Sequence, residues 1–141
     1  IFFWVFDINL VPKYPIWFVI SIALSFFMTY LVNFCIGTCA FWLMRAHGAR
    51  RMFLLFRDFS AGMFVPLSFF PDVLQTVLFF MPFQFINYVP IQVFLGSYEL
   101  AGHSLSIPAI VGLQAIAVIA MWCVTELLWR AGIKKFTGVG T

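Results

Sequence analysis

Two histidines, five acids and three cysteines are the groups in this chain of 141 residues that could attack, ligate or move a proton. His47 stands in "RAHGARR" and His103 in "AGHSLS", with a long apolar stretch between them, so neither orients the other as a catalytic base must be oriented. Each is expected to be a loop residue, His47 at an interface and His103 in solvent. Cys35, Cys39 and Cys123 all lie inside apolar runs. Their odd number argues against a disulfide framework, and C-x-x-x-C is no common zinc spacing, so they are expected to be small buried thiols. Asp72 and Glu99 fall far from Glu126, and no carboxylate pair or cation relay emerges. The sequence also lacks the G-x-x-x-x-G-K-[ST] phosphate loop. It therefore predicts no catalytic set, no metal site and no cofactor held by this chain.

The elements that carry these residues are dictated by composition. Hydrophobic residues make up 64% of the chain and charged ones 9%, with a mean hydropathy of +1.05. So few charges cannot cover a soluble globule, and the solvent for most of the surface must be lipid. Lipid supplies no partners for backbone N–H and C=O groups, which restricts a spanning chain to helices or a closed barrel. The apolar runs lack a barrel's alternation, so the predicted fold is all-α, a polytopic helical membrane protein.

Three spans are predicted, at about 16–44, 51–70 and 107–129. Pro15 marks the start of the first. Small residues at Ser21, Ser25, Gly37 and Ala40 offer close approach to a second helix, and Asn33 is expected to make an interhelical hydrogen bond. The second span carries Arg57 and Asp58, expected as interfacial anchors that need not pair with each other because adjacent residues diverge around a helix. The third opens with Ser106 as N-cap and Pro108 in its first turn, is rich in small residues (Ala109, Gly112, Ala115, Ala117, Ala120), and ends with Glu126 four residues before Arg130. Beyond it "RAGIKKFTGVGT" reads as a basic tail on a membrane surface.

The net charge of +3 forms no dense patch of the kind nucleic acid requires. The basic residues instead set orientation. Arg45, Arg50 and Arg51 follow the first span, and Arg130, Lys134 and Lys135 follow the last, which places both groups and the C-terminus on the cytoplasmic side. The chain opens "IFFWVFDINL" without Met, basic n-region or cleavage site, and so is expected to be a fragment that begins inside a longer polypeptide.

This topology puts 71–96 outside. Between Pro71 and Pro82 lie ten residues, about 15 Å if helical and too short for a 30 Å hydrocarbon layer. Pro71 suits the first turn of a helix that Pro82 stops, while "FQFINYVPIQVFLG" is expected to be broken by Pro90 and closed by Gly96. The prolines thus punctuate a short re-entrant or interfacial helical hairpin on the outer side.

At this point the residues resemble a known family. Gly62, Pro66, Leu67, Phe70 and Pro71 form G-x-x-x-P-L-x-x-F-P, followed by Pro82-Phe83, Pro90 and Leu95-Gly96, and the chain ends in W-R-x-G-x-x-x-F-T-x-x-G from Trp129 and Arg130 through Gly132. This order, with "AFWL" near residue 40, resembles the C-terminal half of ABC-2 type transporter permeases, especially a bacterial subgroup. The resemblance implies that 1–141 is the C-terminal part of one transmembrane domain whose N-terminal spans are missing. It implies a permease of the bacterial cytoplasmic membrane, working with a separate ABC ATPase that hydrolyses the ATP and with a second permease subunit, identical or paralogous. It implies structural and gating roles for Gly62, Pro66, Leu67, Phe70, Pro71, Pro82, Phe83, Pro90 and Gly96. Arg45, Arg50, Arg51, Trp129, Arg130, Lys134 and Lys135 are expected where the ATPase or anionic lipid is met. An exporter working by alternating access is the favoured function, with a path of Phe, Met, Asn and Gln that suits an amphipathic compound. A non-transporting membrane scaffold or accessory subunit is the alternative, and it leaves the motif order unexplained.

Overall fold

A computed structural model describes residues 11–39 and 47–137, apart from the side chains of 47 and 135–137. Five α-helices, two 3-10 turns and one small β-hairpin follow in order among these residues. Helix α1 (Pro15–Thr38) and helix α5 (Ile107–Thr137) frame the molecule. Two stretches, Pro15–Thr38 and Ile107–Lys134, are long and apolar enough to cross a bilayer. The first starts where Pro15 lacks an N–H that a helix start has no use for.

α1 and α5 pack side by side and parallel. Ser21 bonds Gln114 and, further along both helices, Cys35 meets Thr125 at 3.1 Å. Parallel neighbours have an inescapable consequence: the chain between them must travel back the length of the pair. A full second span at 51–70 was the expected return, and the structure corrects it. Helix α2 (His47–Ser60) has 14 residues, about 21 Å against a hydrocarbon layer of roughly 30 Å. Gly62 stops it. With φ at +77°, it gives the left-handed C-cap in which Gly62 N–H reaches Phe59 O and Met63 N–H reaches Asp58 O.

The rest of the return is made by the proline-rich stretch. A 3-10 turn (Leu67–Phe69) leads to α3 (Asp72–Phe80), a second 3-10 turn (Pro82–Phe85) and α4 (Tyr88–Leu95). Pro71 caps α3 and Asp72 opens it, where a carboxylate complements the helix dipole. Pro90 does not break its segment as expected. It is the third residue of α4, within the first turn, where a missing N–H costs nothing. Gly96 closes α4 at φ +81° with the same pair of cap bonds as Gly62, to Val93 O and from Ser97 N–H to Gln92 O.

The fold is mostly helical, as expected, with one addition that the all-α reading did not foresee: strands β1 (Tyr98–Leu100) and β2 (His103–Leu105) pair antiparallel with Glu99 opposite Ser104. Ala101 and Gly102 both have positive φ, 53° and 75°, as a two-residue hairpin turn demands. Alternation buries Tyr98 and Leu100 against the helices. α5 also outruns its predicted end at 129 and continues into the basic tail as far as Thr137, its last turns joined to the span by the Glu126–Arg130 pair at 2.8 Å. Residues 40–44 of the first predicted span lie outside the described residues, as does Arg45. The core gathers Met28 of α1, Val89 and Val93 of α4, Tyr98 and Leu100 of β1 and Ile110 of α5.

Candidate functional site

Where the α3–α4 hairpin turns, it sits deep against the framing helices. Residues 84–86 lie beside Ser21 and Ser25, about 9 to 15 Å along α1 from its Pro15 start. Backbone in this turn is not α-helical, so its carbonyls need partners that lipid cannot give. Side chains of both framing helices supply them. Gln114 Nε2 donates to Phe85 O at 3.0 Å and to Ser21 O at 3.1 Å, while Gln114 Oε1 accepts from the Ser21 hydroxyl at 2.8 Å. The Ser25 hydroxyl donates to Ile86 O.

A second glutamine ties the turn to the β-hairpin. Gln84 Nε2 donates to Phe79 O at 2.6 Å and Gln84 Oε1 accepts from the Tyr98 hydroxyl at 2.6 Å. A third, Gln75, donates to Phe70 O at 2.7 Å and accepts from the Ala101 N–H at 3.0 Å. The Tyr88 hydroxyl closes the set on Glu99 O at 2.7 Å. Gln84 and Gln114 are wholly buried, and no buried side-chain nitrogen or oxygen lacks a partner among the described residues. Burial pushes the Tyr98 phenol well above the usual tyrosine range, with the neighbouring Tyr88 adding to the effect. Sequence reasoning missed this knot. For Gln75 and Gln114 the signal was a lone amide in an apolar run, the same signal that did single out Asn33, whereas Gln84 shares its run with Asn87 and Gln92.

The motif residues surround the knot. Leu67 is fully buried, and Phe70 packs on Phe59 at 5.1 Å between centroids. Phe83 meets Phe56 edge-on at 6.0 Å, which seats the hairpin on the upper end of α2. Pro66, Pro71 and Pro82 each precede or open a short helix, and Gly62 and Gly96 end one. Gly96 is doubly constrained, because a Cβ there would overlap Lys13 Cδ and stand 2.9 Å from Lys13 Cβ.

Lower on α1, Asn33 accepts from Arg57, as an interhelical bond was expected to do. Arg57 and Asp58 nevertheless pair with each other, Nε to Oδ1 at 2.8 Å. Among the basic group expected on the inner side, Arg50 and Arg51 are exposed on α2 and Lys134 is exposed on α5, while the Trp129 ring lies tilted against Phe34 at 5.5 Å. The Lys135 side chain lies outside the described residues. The cysteines differ from one another: Cys35 is buried against Thr125, but Cys123 faces outward because α5 turns that side away from α1. His103 is exposed, with its ring 5.3 Å from Phe79.

Residues 2–140 match the family model described as ABC-2 family transporter protein. The chain belongs to the ABC-2 transporter family. No curated relative and no solved structure matches it. Membership makes this chain a membrane component of an ABC transporter, a class of subunit that works with an ABC ATPase and is not itself the nucleotide-binding enzyme. The knot holds the hairpin against the framing helices. The polar atoms of the knot are spent on backbone and on each other, leaving no activated nucleophile among them.

Proposed function

We propose that this chain is the C-terminal half of the permease domain of an ATP-driven exporter in the bacterial cytoplasmic membrane, with its C-terminus in the cytoplasm. A second permease subunit, identical or paralogous, completes the translocation path, and a separate ATPase consumes the ATP at its inner side. The observation that carries this is the hairpin tip held by Gln114, Ser21 and Ser25 at depth beside both framing helices. A re-entrant hairpin of this kind closes the outer mouth of a path, and it moves when the helices that grip it move. The inner handles are Arg50 and Arg51 on α2 and Arg130 and Lys134 on α5, together with Arg45, Lys135 and the Trp129 ring. The motif residues from Gly62 to Gly96 shape the gate.

Affinity isolation of the full-length parent from native membranes, followed by an ATPase assay on the bound fraction, tests this. A vanadate-sensitive ATPase that co-purifies is the expected result. A clean chain without turnover sinks the permease assignment and leaves a membrane scaffold whose hairpin docks a partner.

A further inference from the structure

Between the end of α4 and the β-hairpin lies a cavity of about 350 Å³ with a mainly polar lining, to which Ser68, Gln75, Tyr88, Gln92, Ser97 and Glu99 contribute. Part of that lining is already spent. Gln75 uses its amide on Ser68 O, Phe70 O and the Ala101 N–H, and the Tyr88 hydroxyl donates to Glu99 O at 2.7 Å. The remainder is not. The Gln92 carboxamide, the Ser97 hydroxyl and the Glu99 carboxylate make no hydrogen bond or ion pair among the described residues. We propose that this cavity binds a primary ammonium group, balanced in charge by Glu99 and donating hydrogen bonds to Glu99, Gln92 Oε1 and the Ser97 hydroxyl.

The lining selects among ligands. Glu99 carries its one charge, and Lys13, whose methylenes lie against Gly96, makes no ion pair with that carboxylate. The cavity therefore attracts a cation and repels a phosphate. A calcium ion takes about six to eight oxygens and needs more than a lone acid to balance it. A quaternary ammonium is held by open aromatic faces, and the one ring here, Tyr88, is only 3% exposed. A primary ammonium instead carries N–H donors, which match acceptors from α4, from the cap behind it and from β1. These acceptors are held in place before any ligand arrives. The Gly96 cap puts the Ser97 N–H on Gln92 O at 3.2 Å, and the Tyr88 bond fixes the β1 backbone at Glu99. Burial, and after it the Glu99 carboxylate, hold the Tyr88 phenol above the usual tyrosine range, so that carboxylate lies near the cavity's phenol. In the proposed topology the cavity is on the outer side, where the ammonium belongs to a soluble amine or to an ethanolamine phospholipid.

Thermal unfolding of the purified chain in detergent, followed by circular dichroism, tests the site through the stabilisation a ligand confers. Ethanolamine hydrochloride and choline chloride screen charge equally, but only the first has N–H donors on its nitrogen. Ethanolamine is expected to raise the melting temperature at about tenfold lower concentration, the worth of a hydrogen bond to a charged group. Phosphatidylethanolamine and phosphatidylcholine in mixed micelles give the same comparison for lipid. A preference for the ethanolamine member of either pair supports the site, and the pair with the lower midpoint names the source. Glu99→Gln is expected to abolish the preference, whereas Asp72→Asn, which removes an acid outside the cavity, keeps it. Each comparison is made within one variant, so a change in baseline stability cancels. No preference in either pair, one that survives Glu99→Gln, or one that Asp72→Asn also abolishes would each overturn the site. None of these readings involves an ATPase, so the site and the permease assignment stand or fall separately.

Discussion

Gln114 concentrates the fold's constraints in one side chain. It contacts α1 through the Ser21 hydroxyl and carbonyl, and the hairpin through Phe85 O. Gln114→Leu keeps most of the volume but orphans these groups in a place water does not reach. The expected cost is about 1–3 kcal/mol, read from denaturant unfolding in micelles. The double variant with Ser21→Ala should cost less than the sum of the single ones, since the two side chains share a bond. Tyr98 sets the pH behaviour. Its phenol titrates higher in the folded than in the unfolded chain, where the value is about 10. Its contribution is therefore complete below pH 10 and lost as pH rises beyond that, through the folded value. Stability measured from pH 7 to 9 should show no loss from this group, and the alkaline loss attributable to it should vanish in Tyr98→Phe. At this scale the sequence was half legible. Asn33 announced an interhelical bond, though not its partner Arg57, by being polar in an apolar run, whereas Gln84 and Gln114 gave no hint of which backbone they would reach, because those partners are 29 and more residues away or set by the turn itself.

Elements were legible wherever a local signal ended or began them. Pro15, Pro71 with Asp72, and Gly96 fixed their boundaries within a residue or so, as caps do. The second span failed because hydropathy continues through Phe64 and Val65 while backbone geometry does not: Gly62 ends the helix regardless of how apolar the following residues are. The two glycine stops predict different costs. Gly62→Ala meets Leu67 only at ordinary contact, 3.4 Å, and is charged about 1–2 kcal/mol for the left-handed φ. Gly96→Ala bears the same backbone penalty and also drives its methyl into Lys13, so it should be the more damaging in thermal unfolding. Adding Lys13→Gly, which removes the Lys13 Cβ along with the rest of the side chain, takes away the obstruction and is expected to bring the Gly96→Ala variant back toward the level of Gly62→Ala.

For the whole molecule, the parallel setting of α1 and α5 is the fact that hydropathy could not supply, because direction depends on contacts such as Ser21–Gln114 and Cys35–Thr125 between segments distant in the chain. It makes the return crossing composite: α2 lies alongside the Asn33 end of α1, the hairpin tip alongside Ser21 and Ser25, and Phe56 against Phe83 joins the two halves. This geometry has a labelling signature. In a background with Cys35, Cys39 and Cys123 replaced by Ala, a single Cys at Arg50 and one at Gly102 should react with a membrane-impermeant maleimide from opposite sides of sealed vesicles. Phe83→Cys should resist the reagent from both, because the tip is enclosed by α2 and the framing helices. If positions 50 and 102 react from the same side, the stretch between them does not cross, and α1 and α5 cannot both span the bilayer in the parallel arrangement their hydrogen bonds require.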